Sequence, residues 1–328
     1  MDISNAEVRK KDHLDLALQS RTSASHLDGR FYYEPALGVH PQIDQKSPTT
    51  FLGHSFDFPF WVSSMTGGTE AAFTINSNLA KLCAEFNLGM GLGSIRPLLD
   101  SKIRLKDFDF RKTIGDRPFY ANLGVAQLEE LLISKELNKL EDILEVLQVS
   151  GLFIHLNPLQ EWFQPEGDRF TRSSLETIQS YTEISKTKVI VKEVGHGMGP
   201  ATLEALLKLN IQGIEFGAFG GTNFSVLEQY RKQDSALDPL SFVGHSAHEM
   251  VGFINKLETS KEFIISGGIQ NPVDAYYLQE LLKANSLIGL ASAWLTPALE
   301  GYDSLKTYFK KFSHQYMMCE AFLKLKRE

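Results

Sequence analysis

Short apolar runs alternating with stretches of helical periodicity constrain this chain more than any other feature. Residues 61–64, 88–93, 119–122, 152–155, 188–192, 212–216, 262–266 and 286–290 read as strands. Helical spacing fills much of the sequence between them, at about 74–85, from Gly124 to about 147, and at 201–209, 247–257 and 273–282. Apolar runs without polar alternation mark strands buried on both faces, as in a parallel sheet. About eight strand–helix units is the number that closes a (β/α)8 barrel. The competing doubly wound sheet requires Gly-x-Gly-x-x-Gly in its first strand–helix turn. Ser64-Met-Thr-Gly-Gly68 stands there instead, so the predicted fold is an α/β TIM barrel.

Residues 1–60 precede the first unit and read as an irregular N-terminal lead-in or lid, rich in Pro, Gly and mixed polarity. Residues 61–328 then form a single catalytic barrel domain. The aromatic and basic stretch 303–325 either closes the eighth unit or packs on a partner subunit. At 328 residues, with 43% hydrophobic and 22% charged residues, the chain has ample core for one large barrel. A net charge of −7 argues against nucleic acid or an anionic membrane as partner. Any phosphate site must be local. The two cysteines, Cys83 and Cys319, make neither a disulfide framework nor a metal motif, and Cys83 falls in an apolar helical pattern. The polar start gives no signal peptide and no apolar run spans a bilayer, so a cytoplasmic location is expected.

In a parallel barrel the chemistry collects beyond the carboxyl ends of the strands. The fourth strand ends in His155-Leu-Asn-Pro-Leu-Gln-Glu161, four polar side chains within seven positions. Glu161 suits a hard cation such as Mg²⁺, and Gln160 suits substrate hydrogen bonding. The plainer reading is a polar turn with Asn157 as helix N-cap, which serves for any one residue better than for all four. Other strand ends carry Ser94 with Arg96, Asn122, Lys192-Glu-Val-Gly-His-Gly197, Gly220-Gly-Thr222, Ser266-Gly-Gly-Ile269 and Gly289-Leu-Ala-Ser-Ala293. Singly, each glycine turn is ordinary punctuation. Together, glycine turns leading into helices at the seventh and eighth strands form a phosphate cradle, and Lys192 adds a cation suited to an electron-rich flavin ring. In the lead-in, Arg9-Lys-Lys-Asp-His13 is either solvated surface or a second source of phosphate-binding charge.

Arg9-Lys-x-Asp-His13, Ser64-Met-Thr-Gly-Gly68, Gly93-Ser-x-Arg96, His155-x-Asn-x-x-Gln-Glu161, Val191-Lys-Glu-Val-Gly195, Gly220-Gly-Thr222 and Ser266-Gly-Gly-Ile269 occur in that order. On these motifs the chain resembles the type 2, FMN-dependent isopentenyl-diphosphate Δ-isomerases. The His-x-Asn-x-x-Gln-Glu run is the most specific of them, whereas the glycine turns are shared with other flavin barrels. The resemblance implies interconversion of isopentenyl and dimethylallyl diphosphate in isoprenoid biosynthesis. It implies reduced FMN as acid–base cofactor, Mg²⁺ on the diphosphate, NADPH as electron donor, and a homo-oligomer (tetramer or octamer). Position by position, it places Ser64, Met65, Thr66, Ser94, Asn122, Lys192, Thr222, Gly267, Gly268, Ala291 and Ser292 on FMN. Arg9, Lys10, Arg96, His155, Asn157 and Gln160 fall on substrate, His155 and Gln160 also in catalysis, and Glu161 on the metal.

Ile95, Gly217 and Gln270 depart from the pattern, which usually has Gln, Ser and Arg there, and the segment 225–251 differs as well. Two other functions share the barrel and the cradle. An FMN-dependent oxidoreductase of the hydroxy-acid oxidase or dihydroorotate dehydrogenase kind needs a base at the flavin, but not Arg9-Lys10 or Gln160 with Glu161. A flavin-binding barrel without turnover needs none of the His155–Glu161 side chains.

Overall fold

The computed structural model describes residues 3–233 and 236–326. Eight parallel strands close into a barrel: β1 Phe60–Val62, β2 Gly89–Gly91, β3 Phe119–Gly124, β4 Gly151–Leu156, β5 Val189–Glu193, β6 Gly213–Glu215, β7 Glu262–Ser266 and β8 Ser286–Leu290. Closure comes from β8 pairing with β1, Gly289 opposite Trp61. Helices between the strands cover the outside, which completes the predicted (β/α)8 architecture. The final helix, Tyr302–Phe322, closes the eighth unit by packing Phe309, Phe312 and Tyr316 edge-on against Phe60. Cys83 and Cys319 are buried and free. Among the described residues no helix is long and apolar enough to cross a membrane.

The barrel interior is filled in layers. Trp61, Tyr120, Phe153, Ile190, Ile264 and Leu287 form the lower one. Rings of this size need space, and β2 provides it with glycine at both inward positions. A Cβ at Gly89 would run into the Trp61 ring, and one at Gly91 would meet Phe153. Fully burying each such ring stabilises the fold by about 1.5–3 kcal/mol.

The lead-in seals this layer from below. Strands Thr49–Phe51 and His54–Phe56 form a hairpin whose Phe51 and Phe56 pack into the same cluster. Leu52 and Gly53 turn it at φ of +50° and +79°. The Leu52 N–H donates to Glu262, and Asn285 Nδ2 donates to the Thr50 carbonyl at 2.9 Å, both at the amino ends of their strands. Upstream, Phe31–Tyr33 pairs antiparallel with Leu323–Leu325, and Ile3–Leu16 is a helix. The lead-in therefore carries regular elements joined by irregular connections. Apolar rings thus plug the amino end of the barrel, and its carboxyl end is left open.

Candidate active site

Above the aromatic layer the inward positions turn polar. Asn122 on β3, His155 on β4 and Lys192 on β5 each follow an inward residue of that layer by two, and Glu215 on β6 shares their face through its pairing with Lys192. His155 lies opposite Lys192, and Lys192 opposite Glu215. Ser64, Ser94 and Thr222 follow β1, β2 and β6 at the same end of the barrel. The strand-end residues predicted from sequence thus share one rim.

From β5 round to β1 this rim encloses a cavity of about 370 Å³, within the usual range for small-ligand sites. Ser64, Lys192, Thr222, Gly267, Gly268, Ala291 and Ser292 line it, with Ser63, Glu215 and Gln270. Its wall is built where side chains do not fit. Gly267 has φ +90°, and a Cβ there would strike the Ala218 carbonyl; Gly268 has φ +73°. Gly217, one of the departures, has φ +53° and lies so close to the Glu193 carbonyl that any Cβ would clash. The Glu193 carboxylate holds the next turn by accepting the N–H groups of Gly195 at 2.7 Å, His196 at 2.5 Å and Gly197 at 3.0 Å, while burial pushes its carboxyl up from the usual range. Three buried polar atoms on the cavity wall have no partner among the described residues: Ser63 Oγ, Ser64 Oγ and Glu215 Oε2. Helix Ser292–Glu300 begins at the cavity with no side-chain cap on its first N–H groups. Open glycine backbone, an uncapped helix start, a lysine and orphan hydroxyls fit a phosphorylated, hydrogen-bonding planar ligand such as FMN.

The β3–β4 side differs in kind. Asn122 Oδ1 lies 2.8 Å from His155 Nδ1, so with the amide oxygen as acceptor the proton sits on Nδ1 and Nε2 carries the lone pair. Burial and then the Lys192 charge push His155 down to about 3, so the imidazole is neutral at neutral pH. Asn157 occupies the N-cap position of helix Pro158–Phe163 but makes no cap bond. Its Nδ2 donates instead to Gln160 Oε1 at 3.2 Å and Glu161 Oε1 at 2.9 Å, leaving its own Oδ1 buried and unpartnered among the described residues. Glu161 is 4% exposed, and its other oxygen accepts the Asp168 N–H at 2.8 Å. Asp168 also accepts from Gln127 Nε2 at 2.7 Å and pairs with Arg96 at 3.3 Å. Among the described residues no group of three or more His, Cys, Asp and Glu side chains forms a metal cage. Glu161 can supply one ligand, as Mg²⁺ requires when substrate phosphates supply others.

Not every predicted site residue joins these two groups. Met65, Thr66 and Ser94 are half-buried on the rim but outside the cavity lining, and the Asn122 side chain is turned to His155. Ile95 is fully buried, its N–H donating to the Asn122 carbonyl at 2.8 Å, so an apolar side chain suits the position. Arg9 and Lys10 stand exposed on helix Ile3–Leu16, with no ion pair among the described residues. The differing segment 225–251 contains most of helix Phe224–Lys232, a 3-10 turn Pro239–Phe242 and the start of helix Ala247–Ile254; its residues 234 and 235 lie outside the described ones. Sequence reasoning missed Gln127, Asp168, Ser63 and Glu215. For Glu215 there was a signal, a single charge inside an apolar strand.

No family model matches the chain. An isopentenyl-diphosphate delta-isomerase from Rickettsia akari is 32% identical over 301 residues, covering 89% of this chain and 86% of that protein. The protein of the same name from Rickettsia typhi is 31% identical over 306 residues, covering 91% and 88%. Among solved structures, the flavin-binding domain of baker's yeast flavocytochrome b2 superposes with a TM-score of 0.58 at 14% identity, over 89% of this chain and 71% of that one. A mandelate oxidase mutant with a monooxide FMN adduct gives 0.55 at 13% identity, over 90% and 88%. These structural likenesses establish the barrel fold.

Proposed function

The chain belongs to the isopentenyl-diphosphate delta-isomerase family, and from that membership we propose a type 2 isomerase that interconverts isopentenyl and dimethylallyl diphosphate with reduced FMN and Mg²⁺. The observation that carries this reading is the His155–Lys192 rung, where the open cavity meets the hydrogen-bonded Asn122–His155 pair on the side of the rim that also carries the Asn157–Glu161 network. A ligand filling the cavity and one held by the network would touch there.

On the cofactor side, Lys192 and the glycine turns at Gly267-Gly268 and Ala291-Ser292 would hold FMN. When bound, reduced FMN supplies the acid–base group for moving a proton on an unactivated alkene. The protein's task is orientation. Neutral His155 presents its Nε2 as an acceptor, while Asn157 holds Gln160 Oε1 and Glu161 Oε1 by its amide N–H groups. Glu161 would hold Mg²⁺ together with the diphosphate, and Arg96 would leave Asp168 for a phosphate oxygen. A 14-residue helix with little amphipathic character is marginal by itself. Helix Ile3–Leu16 is therefore assigned the lid, closing Arg9 and Lys10 over the diphosphate. NADPH as electron donor and a tetrameric or octameric assembly complete the proposal.

The test is to follow isopentenyl diphosphate with the purified protein, FMN, Mg²⁺ and a reductant under anaerobic conditions. Dimethylallyl diphosphate should form only when all are present, with no reductant consumed per turnover. Consumption of reductant in proportion to substrate would instead identify an oxidoreductase. Flavin uptake with no conversion would leave a binding protein.

A further inference from the structure

We infer that Glu215 is an additional cofactor-binding residue of this site, its carboxylate accepting a hydrogen bond from a ribityl hydroxyl or a ring N–H of the flavin. The inference rests on the FMN reading above and adds a residue to it.

Glu215 ends β6 on the inward face, one rung from Lys192, in the floor of the cavity. It is 1% exposed, and its Oε2 is buried with no hydrogen-bond partner among the described residues. The other buried carboxylates of the rim are satisfied. Glu193 accepts three backbone N–H groups, Glu161 accepts Asn157 Nδ2 and the Asp168 N–H, and Glu228 pairs with Arg231. Lys192 is the obvious counter-charge, but its Nζ donates to the Glu193 carbonyl at 2.9 Å, and no ion pair joins it to Glu215 among the described residues.

A carboxylate oxygen buried without a donor is expensive to keep. A position that tolerates it is one where a donor arrives. A carboxylate only accepts, so the incoming group must bring O–H or N–H. The ionised diphosphate and hydrocarbon tail of the substrate bring neither. The flavin brings both, at the ribityl chain and at the ring, away from the phosphate that the glycine turns above the floor are shaped to take.

The two consequences have opposite sign, which separates this role from a structural one. Removing the charge relieves the ligand-free protein and penalises the complex. Wild type, Glu215→Gln and Glu215→Leu are compared by thermal unfolding without flavin and by fluorescence-quenching titrations with FMN, riboflavin and lumiflavin. Both variants should unfold at higher temperature than the wild type without flavin. FMN and riboflavin should bind on the order of tenfold more weakly to Glu215→Gln, and more weakly still to Glu215→Leu, whose side chain has no acceptor. Lumiflavin lacks the ribityl hydroxyls, so its affinity is unchanged by the variants if those hydroxyls are the donors and falls alongside FMN if the ring N–H is. Equal FMN affinity in all three proteins overturns the inference, as does lower flavin-free stability in both variants. A wild type that takes up no FMN overturns the underlying reading, and the inference with it.

Discussion

The two sides of the rim use polar groups in opposite ways. From β5 round to β1, donors and acceptors are left open: Ser63, Ser64 and Glu215 lack partners among the described residues, and glycine exposes the backbone. At β3 and β4 the side chains are bonded to one another, along a chain from Asn122 to His155 and another from Gln160 through Asn157, Glu161 and Asp168 to Arg96, with Asn157 Oδ1 the buried exception among the described residues. Unsatisfied groups suit a resident ligand that completes the fold of its own pocket. A satisfied network suits a transient one, because its geometry is set before the ligand arrives and survives its departure. On the proposed function, the open side would take the cofactor and the bonded side the substrate.

Gly267→Val should break the open side outright. Its φ of +90° and the Ala218 carbonyl against any Cβ leave no room for a side chain. A loss of roughly 3 kcal/mol or more is expected, read as absent FMN quenching and a lowered unfolding midpoint. Normal flavin uptake would mean that this turn is not the cradle. Glu161→Gln should act only on the other side, lowering kcat/KM by about 10²-fold at fixed Mg²⁺ while FMN affinity stays level. Unchanged metal dependence would remove Glu161 from the metal. Deleting residues 1–13 should raise KM for the diphosphate about tenfold or more, through lost cationic contacts, and leave the flavin spectrum intact. Gln270→Arg, at the exposed edge of the cavity, should tighten FMN by about tenfold with little change in saturated turnover.

His155 sharpens the comparison through pH. Its folded-state pKa lies near 3, below the ordinary 6.5, because burial and Lys192 disfavour the cation. The unfolded chain therefore binds the extra proton between those values, and the stability associated with a neutral His155 is present above about pH 6.5 and lost as pH falls toward 3. Denaturant midpoints at pH 7 and pH 5 should differ less in His155→Asn than in the wild type. An equal slope in both proteins would mean that the imidazole is not held neutral.

Much of this was legible in the sequence because buried parallel strands announce themselves as apolar runs. β7 and β8 fall where their runs predict, at Glu262–Ser266 and Ser286–Leu290. The first long helix begins earlier than its apolar spacing suggests, at Glu70, because Thr69 caps it by accepting the Ala72 N–H. The hairpin plug escaped notice because Leu52 takes the left-handed conformation that a turn usually reserves for Asn or Gly. Rim residues next to strand ends could be named, since the fold alone carries them to one place. Asp168 and Gln127 could not. Their role depends on the loop after helix Pro158–Phe163 folding back over β3 and β4, a long-range contact with no local signature.

Hydrogen exchange by mass spectrometry tests the division of the rim most directly. FMN alone should protect 193–197, 217–222, 266–270 and 289–293. Inorganic diphosphate with Mg²⁺, added to the FMN-loaded protein, should protect the lead-in helix and 155–168. FMN footprints on 155–168, or diphosphate protection confined to the glycine turns, would contradict the assignment of cofactor to one side and substrate to the other.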